Sequence, residues 1–122
     1  MPANRAIGVT PKSAPAAFGE GMEAYLGFLQ LERGLSPHSV AAYARDLAQA
    51  AEFLGKTRAC TGWSTVTSND LSAWVQSMSA GELTPASLAR KLSAIRGLFR
   101  FLVREQQCAS DPTELLSSPR LV

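Results

Sequence analysis

Apolar residues recur at intervals of three and four along most of the chain, the spacing of helices packed on one core. The clearest stripe consists of Leu88, Leu92, Ile95, Phe99 and Leu102. No stretch alternates between apolar and polar residues, so no sheet is expected. The pattern predicts an all-α fold with four main helices, over roughly residues 18–33, 37–54, 68–79 and 85–105.

Three of these helices begin with the same local pattern, an apolar residue, Ser or Thr, three further residues and a second apolar residue. The hydroxyl residues are Ser36, Thr67 and Thr84. Each can accept a hydrogen bond from the free N–H groups of the helix start, while the apolar pair packs across it. Glycines are expected to end the first three helices, namely Gly34, Gly55 and Gly81.

The stripes together predict a single hydrophobic core. Its expected members are Leu26, Leu29, Val40, Tyr43, Leu47, Leu71, Trp74, Leu88, Leu92, Ile95, Phe99 and Leu102. A chain of 122 residues with 46% hydrophobic residues suits one globular domain. The loop after the second helix is expected to fold Trp63 back onto this core.

The composition offers little for catalysis. The only histidine, His38, has no nucleophile or carboxylate at a readable spacing, and no glycine-rich phosphate loop occurs. Cys60 and Cys108 form no CxxC pair, so two free thiols are expected, with one disulfide as the alternative. No catalytic, metal or cofactor site is therefore predicted. No signal peptide or membrane-spanning stretch is found, which predicts a cytoplasmic protein without a membrane partner.

Residues 83–104, which include nearly all of the last predicted helix, carry five cations and no carboxylate. They are Arg90, Lys91, Arg96, Arg100 and Arg104. At 100° per residue, the side opposite the apolar stripe consists of Ala86, Arg90, Ala94, Gly97, Phe101 and Arg104. A cationic surface with small residues suits the close approach of a polyanion, although most basic helices are simply solvated.

The start of the second helix offers a second anion-binding feature. His38 and Ser39 lie among free N–H groups at the positive end of the helix dipole, and Arg45 follows two turns later. A phosphate would be favoured there. The alternative is an ordinary solvent-exposed helix start.

Two segments resemble the signatures of the tyrosine recombinase family, particularly its Xer-type branch. Residues 35–47 (LSPHSVAAYARDL) resemble the family's Leu-Ser-x-x-Thr-x-x-x-Tyr-x-x-Asp-Leu segment, with Ser39 in the Thr position. Residues 87–102 (SLARKLSAIRGLFRFL) resemble its second signature helix. Asp111-Pro112 and Ser118-Pro119-Arg120 are similar to the exit segment that leads to the family's catalytic domain.

The resemblance implies a DNA-binding core-binding domain, a four- to five-helix SAM-like orthogonal bundle. Two of its helices would cross the major groove of double-stranded DNA. The residues carried over to that contact are His38, Ser39, Ala42, Arg45, Ser87, Arg90, Lys91 and Ala94. Ala42 and Ala94 have no hydrogen-bonding side chain, which favours contact with the DNA backbone at those positions.

The same resemblance implies a division of the chain and of the activity. Residues 1–17 are predicted to be a flexible tail, residues 18–110 the helical domain, and residues 111–122 an exit segment towards an absent catalytic domain. This chain alone would be inactive, whereas the parent recombinase would cleave and rejoin DNA through a 3′-phosphotyrosyl intermediate, with other recombinase protomers as partners. A protein-interaction bundle and a stand-alone DNA-binding regulator are the alternative functions.

Overall fold

The computed structural model describes residues 16–116, which form four α-helices and no strand. The helices are α1 (Ala16–Leu31), α2 (Pro37–Lys56), α3 (Ser68–Ser79) and α4 (Pro85–Arg104), and a 3-10 turn (Trp63–Thr65) precedes α3. The all-α prediction is confirmed, with every helix end within two residues of its predicted position. None of the helices in this range is long and apolar enough to cross a membrane. Most of the predicted tail and half of the predicted exit segment lie outside the described residues.

Hydroxyl side chains begin α2 and α4 as predicted. Ser36 Oγ accepts a hydrogen bond from the Ser39 amide at 3.2 Å, and Thr84 Oγ1 accepts one from the Ser87 amide at 3.1 Å. Each bond satisfies an amide that has no partner within its helix. A proline follows each cap at the first helical position, where the missing N–H costs nothing.

The predicted helix ends are correct for α1 and wrong for α2. Gly34 has a φ of +68° and ends α1 in the left-handed region that glycine adopts readily. Gly55 lies inside α2, which continues to Lys56, and the left-handed residue of the following turn is Ala59, with a φ of 60°. One glycine within a helix costs little against the packing of a whole helix. Gly81 follows α3 by two residues without adopting a positive φ.

α4 packs against both α1 and α2, and α2 in turn also contacts α1 and α3. Ten of the twelve predicted core residues are buried, and the other two, Val40 and Tyr43, are partly buried against the core. The apolar stripes missed Phe18, Met22 and Leu98, which are all fully buried. A helix that is covered from two sides buries more than one stripe.

The second half of α4 corrects the predicted outer face. Ala94 is fully buried and Phe101 is 9% exposed, so neither faces solvent. Phe101 packs against the rings of Tyr25 and Phe28 on α1. A Cβ added at Gly97 would overlap the Tyr25 hydroxyl. The small residues of α4 therefore admit α1 rather than an external partner.

The segments around the helices also pack on the core. Trp63 is buried, as predicted, and its Nε1 donates to the Phe18 carbonyl at 2.8 Å. Residues 111–116 return to α4, where Arg96 Nη2 donates to the Leu116 carbonyl at 2.9 Å and the Leu116 side chain is buried. The domain boundary at residue 110 remains a prediction. Both cysteines are free thiols.

α3 begins with a reciprocal capping box that contains the buried carboxylate of Asp70. Asp70 Oδ2 accepts from the Thr67 amide at 2.9 Å, and Thr67 Oγ1 accepts from the Asp70 amide at 3.2 Å. Asp70 also accepts from Arg58 Nε at 3.0 Å and Cys60 Sγ at 3.3 Å. Burial alone would raise the pKa of this carboxyl, but the hydrogen bonds from Thr67, Arg58 and Cys60 outweigh burial and lower the pKa to about 2.

Replacement of Leu92 by Ala should lower the free energy of unfolding by roughly 2–5 kcal/mol, because Leu92 is 1% exposed at the centre of the core. Urea denaturation measures the loss. Leu31→Ala removes the same atoms from a side chain that is 83% exposed, and it should cost less than about 0.5 kcal/mol. Equal losses in the two variants would contradict the described packing.

Asp70→Asn should lower the stability at neutral pH by roughly 1–3 kcal/mol, because the native state favours the ionised carboxylate. The pKa of Asp70 is lower in the folded than in the unfolded chain, so its contribution is complete above about pH 4 and disappears as the pH falls towards 2. The difference between wild type and variant in urea denaturation should shrink over that range. Glu114→Gln, at an exposed acid, should show no such convergence.

Candidate nucleic-acid interface

The start of α2 and the first half of α4 line one open depression on the surface. Its lining residues are Leu35, His38, Ser39, Ala42, Tyr43 and Arg90. Four of the eight residues predicted to bind DNA are thus brought together from helices that are far apart in sequence. His38 is exposed, whereas Ser39 and Ala42 are half-buried. No carboxylate lines the depression.

The first turn of α4 adds Ser87, which precedes Arg90 by one helical turn. Ser87 is half-buried, and its hydroxyl accepts a hydrogen bond from Thr84 Oγ1 at 3.1 Å. The start of α2 has the same arrangement, in which Ser36 Oγ donates to Ser39 Oγ at 3.2 Å. Both helix starts therefore present a pair of linked hydroxyl groups next to one free backbone N–H group, that of His38 in α2 and that of Ala86 in α4.

A buried carboxylate on α2 fixes the direction of Arg90. Asp46 is 1% exposed, and its Oδ2 and Oδ1 accept from Arg90 Nε at 2.8 Å and from Arg90 Nη2 at 2.9 Å. Lys91 Nζ donates to Asp46 Oδ1 at 2.9 Å and also to Gln49 Oε1. We call Asp46, Arg90 and Lys91 the Asp46 cluster. It joins α2 to α4 with two cations around one carboxylate.

The Asp46 cluster contains a carboxylate and an arginine whose pKa values are shifted. Burial alone would raise the pKa of the Asp46 carboxyl, but the hydrogen bonds and charges of Arg90 and Lys91 lower it below its ordinary value. The hydrogen bond to Asp46, reinforced by its charge, raises the pKa of Arg90. Asp46 is therefore an anion and Arg90 a cation at neutral pH, and the cluster places two basic side chains around one carboxylate.

Two of the predicted DNA-facing residues do not reach the surface. Lys91 is 5% exposed and its ammonium group is used inside the protein, while Ala94 is fully buried. The prediction placed both on an outer side of α4, but that side is covered by α2 at Lys91 and is enclosed in the bundle at Ala94. Lys91 and Ala94 are therefore interior residues of the bundle and not the surface residues that had been predicted. Arg90 is half-exposed and oriented by Asp46, rather than a freely solvated cation.

Arg45 extends the basic character along the exposed side of α2. It lines the neighbouring groove between α1 and α2, together with Glu23, and not the depression at His38. Among residues 16–116 it makes no ion pair. We define the α2–α4 face as His38, Ser39, Ala42, Arg45, Ser87 and Arg90.

No structural or DNA-binding role was predicted for Asp46 from the sequence. A signal was present, because Asp46 lies one position before the core residue Leu47, beside the buried side of α2. A carboxylate near a core needs a cation. The acid-free α4 helix was the evident source, but the choice between its cations requires the three-dimensional packing.

Asp46→Asn should lower the free energy of unfolding by about 3–5 kcal/mol, because it leaves two cations next to each other without an anion. Urea denaturation at pH 7 measures the loss. Glu52→Gln breaks an exposed ion pair with Lys56 on the same helix, and it should cost less than about 1 kcal/mol. A loss below 1 kcal/mol for Asp46→Asn would show that the cluster does not hold α2 on α4.

Comparison with known proteins agrees with the resemblance found in the sequence. The family model described as "Phage integrase, N-terminal SAM-like domain" matches residues 22–106. This range contains most of α1, all of α2, α3 and α4, and the whole α2–α4 face.

Similar proteins include tyrosine recombinases XerC from several bacteria. The protein of Pseudomonas putida (strain W619) is 38% identical over 99 residues, which is 81% of this chain and 33% of that protein. The protein of Herpetosiphon aurantiacus is 33% identical over 100 residues, covering 82% of this chain and 32% of the relative. This chain therefore spans about a third of the length of the curated relatives it matches. It belongs to the phage integrase N-terminal SAM-like domain family and is an N-terminal domain of the Xer type of tyrosine recombinase.

Proposed function

We propose that this chain is the DNA-binding domain of a site-specific tyrosine recombinase and that its α2–α4 face contacts duplex DNA. The observation that carries the proposal is the Asp46 cluster, which holds Arg90 beside His38 and Ser39 in an acid-free depression. The family membership supports a role in site-specific recombination. The α2–α4 face supplies cationic and hydroxyl groups for a polyanion.

Each residue of the face has a distinct part in this proposal. The free N–H group of His38 and the dipole at the start of α2 favour a phosphate beside His38 and Ser39. A guanidinium group has five N–H donors, of which Asp46 accepts two, so Arg90 keeps three for DNA. Ala42 leaves room for the DNA backbone between these groups. Arg45 adds a phosphate contact further along α2.

Strand cleavage is assigned to the rest of the parent recombinase. A nucleophilic tyrosine must reach the phosphodiester and lose its proton. Tyr25 is 5% exposed, and burial is the main cause that raises its pKa to about 12. Tyr43 is partly buried against the core. Neither residue suits a phosphotyrosyl intermediate, which supports an inactive isolated domain.

The alternative of a protein-interaction bundle loses its main argument. That reading depended on Phe101 being available on an outer face, but Phe101 is packed against α1. A stand-alone DNA-binding regulator would use the same α2–α4 face and differs only in how tightly and specifically it binds. With a net charge of only +2, we expect weak binding that depends on salt.

The log of the DNA affinity should fall with the log of the salt concentration by about 0.9 for each phosphate neutralised. Arg45→Gln should reduce that slope by about one, because it removes one phosphate contact. Fluorescence anisotropy with a labelled duplex measures the slope. Arg100→Gln removes the same charge from the exposed end of α4 and should leave the slope unchanged. Affinity independent of salt, or equal slopes in wild type and Arg45→Gln, would contradict the proposal.

Arg90 requires a variant that keeps Asp46 paired. Arg90→Ala would disturb the Asp46 cluster, so a loss of binding could reflect unfolding. Arg90→Lys retains the positive charge but replaces the planar guanidinium group, which can donate two parallel hydrogen bonds, by a single ammonium group. We expect weaker DNA binding, and a melting temperature closer to that of wild type than that of Arg90→Ala, because a lysine ammonium still pairs with Asp46. An Arg90→Lys variant that binds like wild type would remove Arg90 from the contact.

A further inference from the structure

A second groove lies between α1 and the end of α4, and the proposed DNA contact does not use it. Its lining residues are Tyr25, Phe28, Leu29, Arg33, Gly97, Arg100, Phe101, Val103 and Arg104. Its volume of about 380 Å³ is within the range of ligand-binding clefts. Three arginines and three aromatic rings line this α1–α4 groove without any carboxylate.

Two of its arginines have no counter-charge. Arg33 and Arg100 make no ion pair and no side-chain hydrogen bond within residues 16–116. Arg104, in contrast, is paired with Glu105 and lies over the rings of Phe28 and Phe101. Neither the first fifteen nor the last six residues of the sequence contain Asp or Glu. The groove therefore presents basic groups that no acidic side chain of its lining neutralises.

The Tyr25 hydroxyl is the third unsatisfied group. Tyr25 is 5% exposed, and no residue in the described part of the chain accepts from or donates to its hydroxyl. The hydroxyl lies against Gly97, which also lines the groove. Arg100 and Arg33 are close enough for their charges to act on it. A buried donor without a partner costs folding free energy, so its retention favours a role in binding.

We propose that the α1–α4 groove binds an acidic peptide segment of a partner protein. A carboxylate of the segment would accept from the Tyr25 hydroxyl and from the guanidinium groups of Arg33 and Arg100. An adjacent apolar or aromatic side chain would pack on the half-buried ring of Phe28. This occupant satisfies all three polar groups and covers the exposed part of the Phe28 ring.

A duplex fits the groove less well than a peptide does. Arg100 is ten residues beyond Arg90, about 15 Å along α4, and it lies outside the α2–α4 face. The phosphates of a duplex lie on a broad surface, however, which suits them poorly for contact with the hydroxyl of a buried residue such as Tyr25. A duplex would also leave the exposed part of the Phe28 ring uncovered. A carboxylate on a flexible side chain has neither limitation.

The test uses the full 122-residue chain and a fluorescein-labelled, N-acetylated peptide of three alternating Glu-Phe pairs. Fluorescence anisotropy should show binding that weakens about tenfold in Tyr25→Phe and in Arg100→Gln, because each variant loses a hydrogen bond to a charged group. Arg45→Gln has the same change of charge outside the groove and should weaken binding less than twofold. A peptide with Gln in place of Glu should bind at least tenfold more weakly.

Thermal melting separates a binding role of Tyr25 from a structural one. Tyr25→Phe removes an unpartnered hydroxyl, so its melting temperature should equal or exceed that of wild type while peptide affinity falls. Arg100→Gln, at an exposed position, keeps the test decisive if Tyr25→Phe does not fold.

Several results would overturn the proposal. They are the absence of peptide binding at millimolar concentration, equal binding of the Gln and Glu peptides, or full binding by both Tyr25→Phe and Arg100→Gln. Displacement of the peptide by duplex DNA, together with a loss of DNA affinity in Arg100→Gln as large as that in Arg45→Gln, would assign the groove to DNA instead. Peptide binding is measured without DNA, so its outcome is independent of whether the α2–α4 face binds DNA.

Discussion

The Asp46 carboxylate constrains how α2 and α4 pack, because a buried anion must be matched by cations and hydrogen-bond donors. α4 supplies both from adjacent positions, Arg90 at the surface and Lys91 inside. The geometry of this contact determines which cation is available to an external ligand. Lys91 is buried and donates to Asp46 and Gln49, whereas part of the Arg90 guanidinium group stays free beside the start of α2.

The same helix has a different environment along its second half. There α1 covers α4, and Gly97 allows the Tyr25 ring to approach the α4 backbone. Phe101 is buried against the rings of Tyr25 and Phe28 for the same reason. α4 thus contributes to two basic surfaces whose local chemistry differs. The α2–α4 face combines cations with helix starts and hydroxyl groups, whereas the α1–α4 groove combines cations with aromatic rings and a buried phenol.

Local sequence was sufficient for the helices and insufficient for the contacts between them. The cap at Ser36 depends only on the next three residues, so it was predicted correctly. The apolar stripe that contains Leu92 repeats within one helix, and its burial was also predicted correctly. The wrong end of α2 at Gly55 arose because packing outweighs a local preference. Lys91 was misplaced because its partner, Asp46, is 45 residues away in sequence. The family resemblance indicated Arg90 correctly as a surface residue, but not that Asp46 orients it.

The most direct test of the account is to map the DNA contact residue by residue on the isotope-labelled chain. Amide chemical shifts recorded during titration with a short duplex should change most over residues 36–45 and 84–90. The amides of α3 and of the α1–α4 groove should change little. Shifts centred on α3 (Ser68–Ser79), with the starts of α2 and α4 unaffected, would show that the Asp46 cluster holds the helices together without presenting a DNA-binding face.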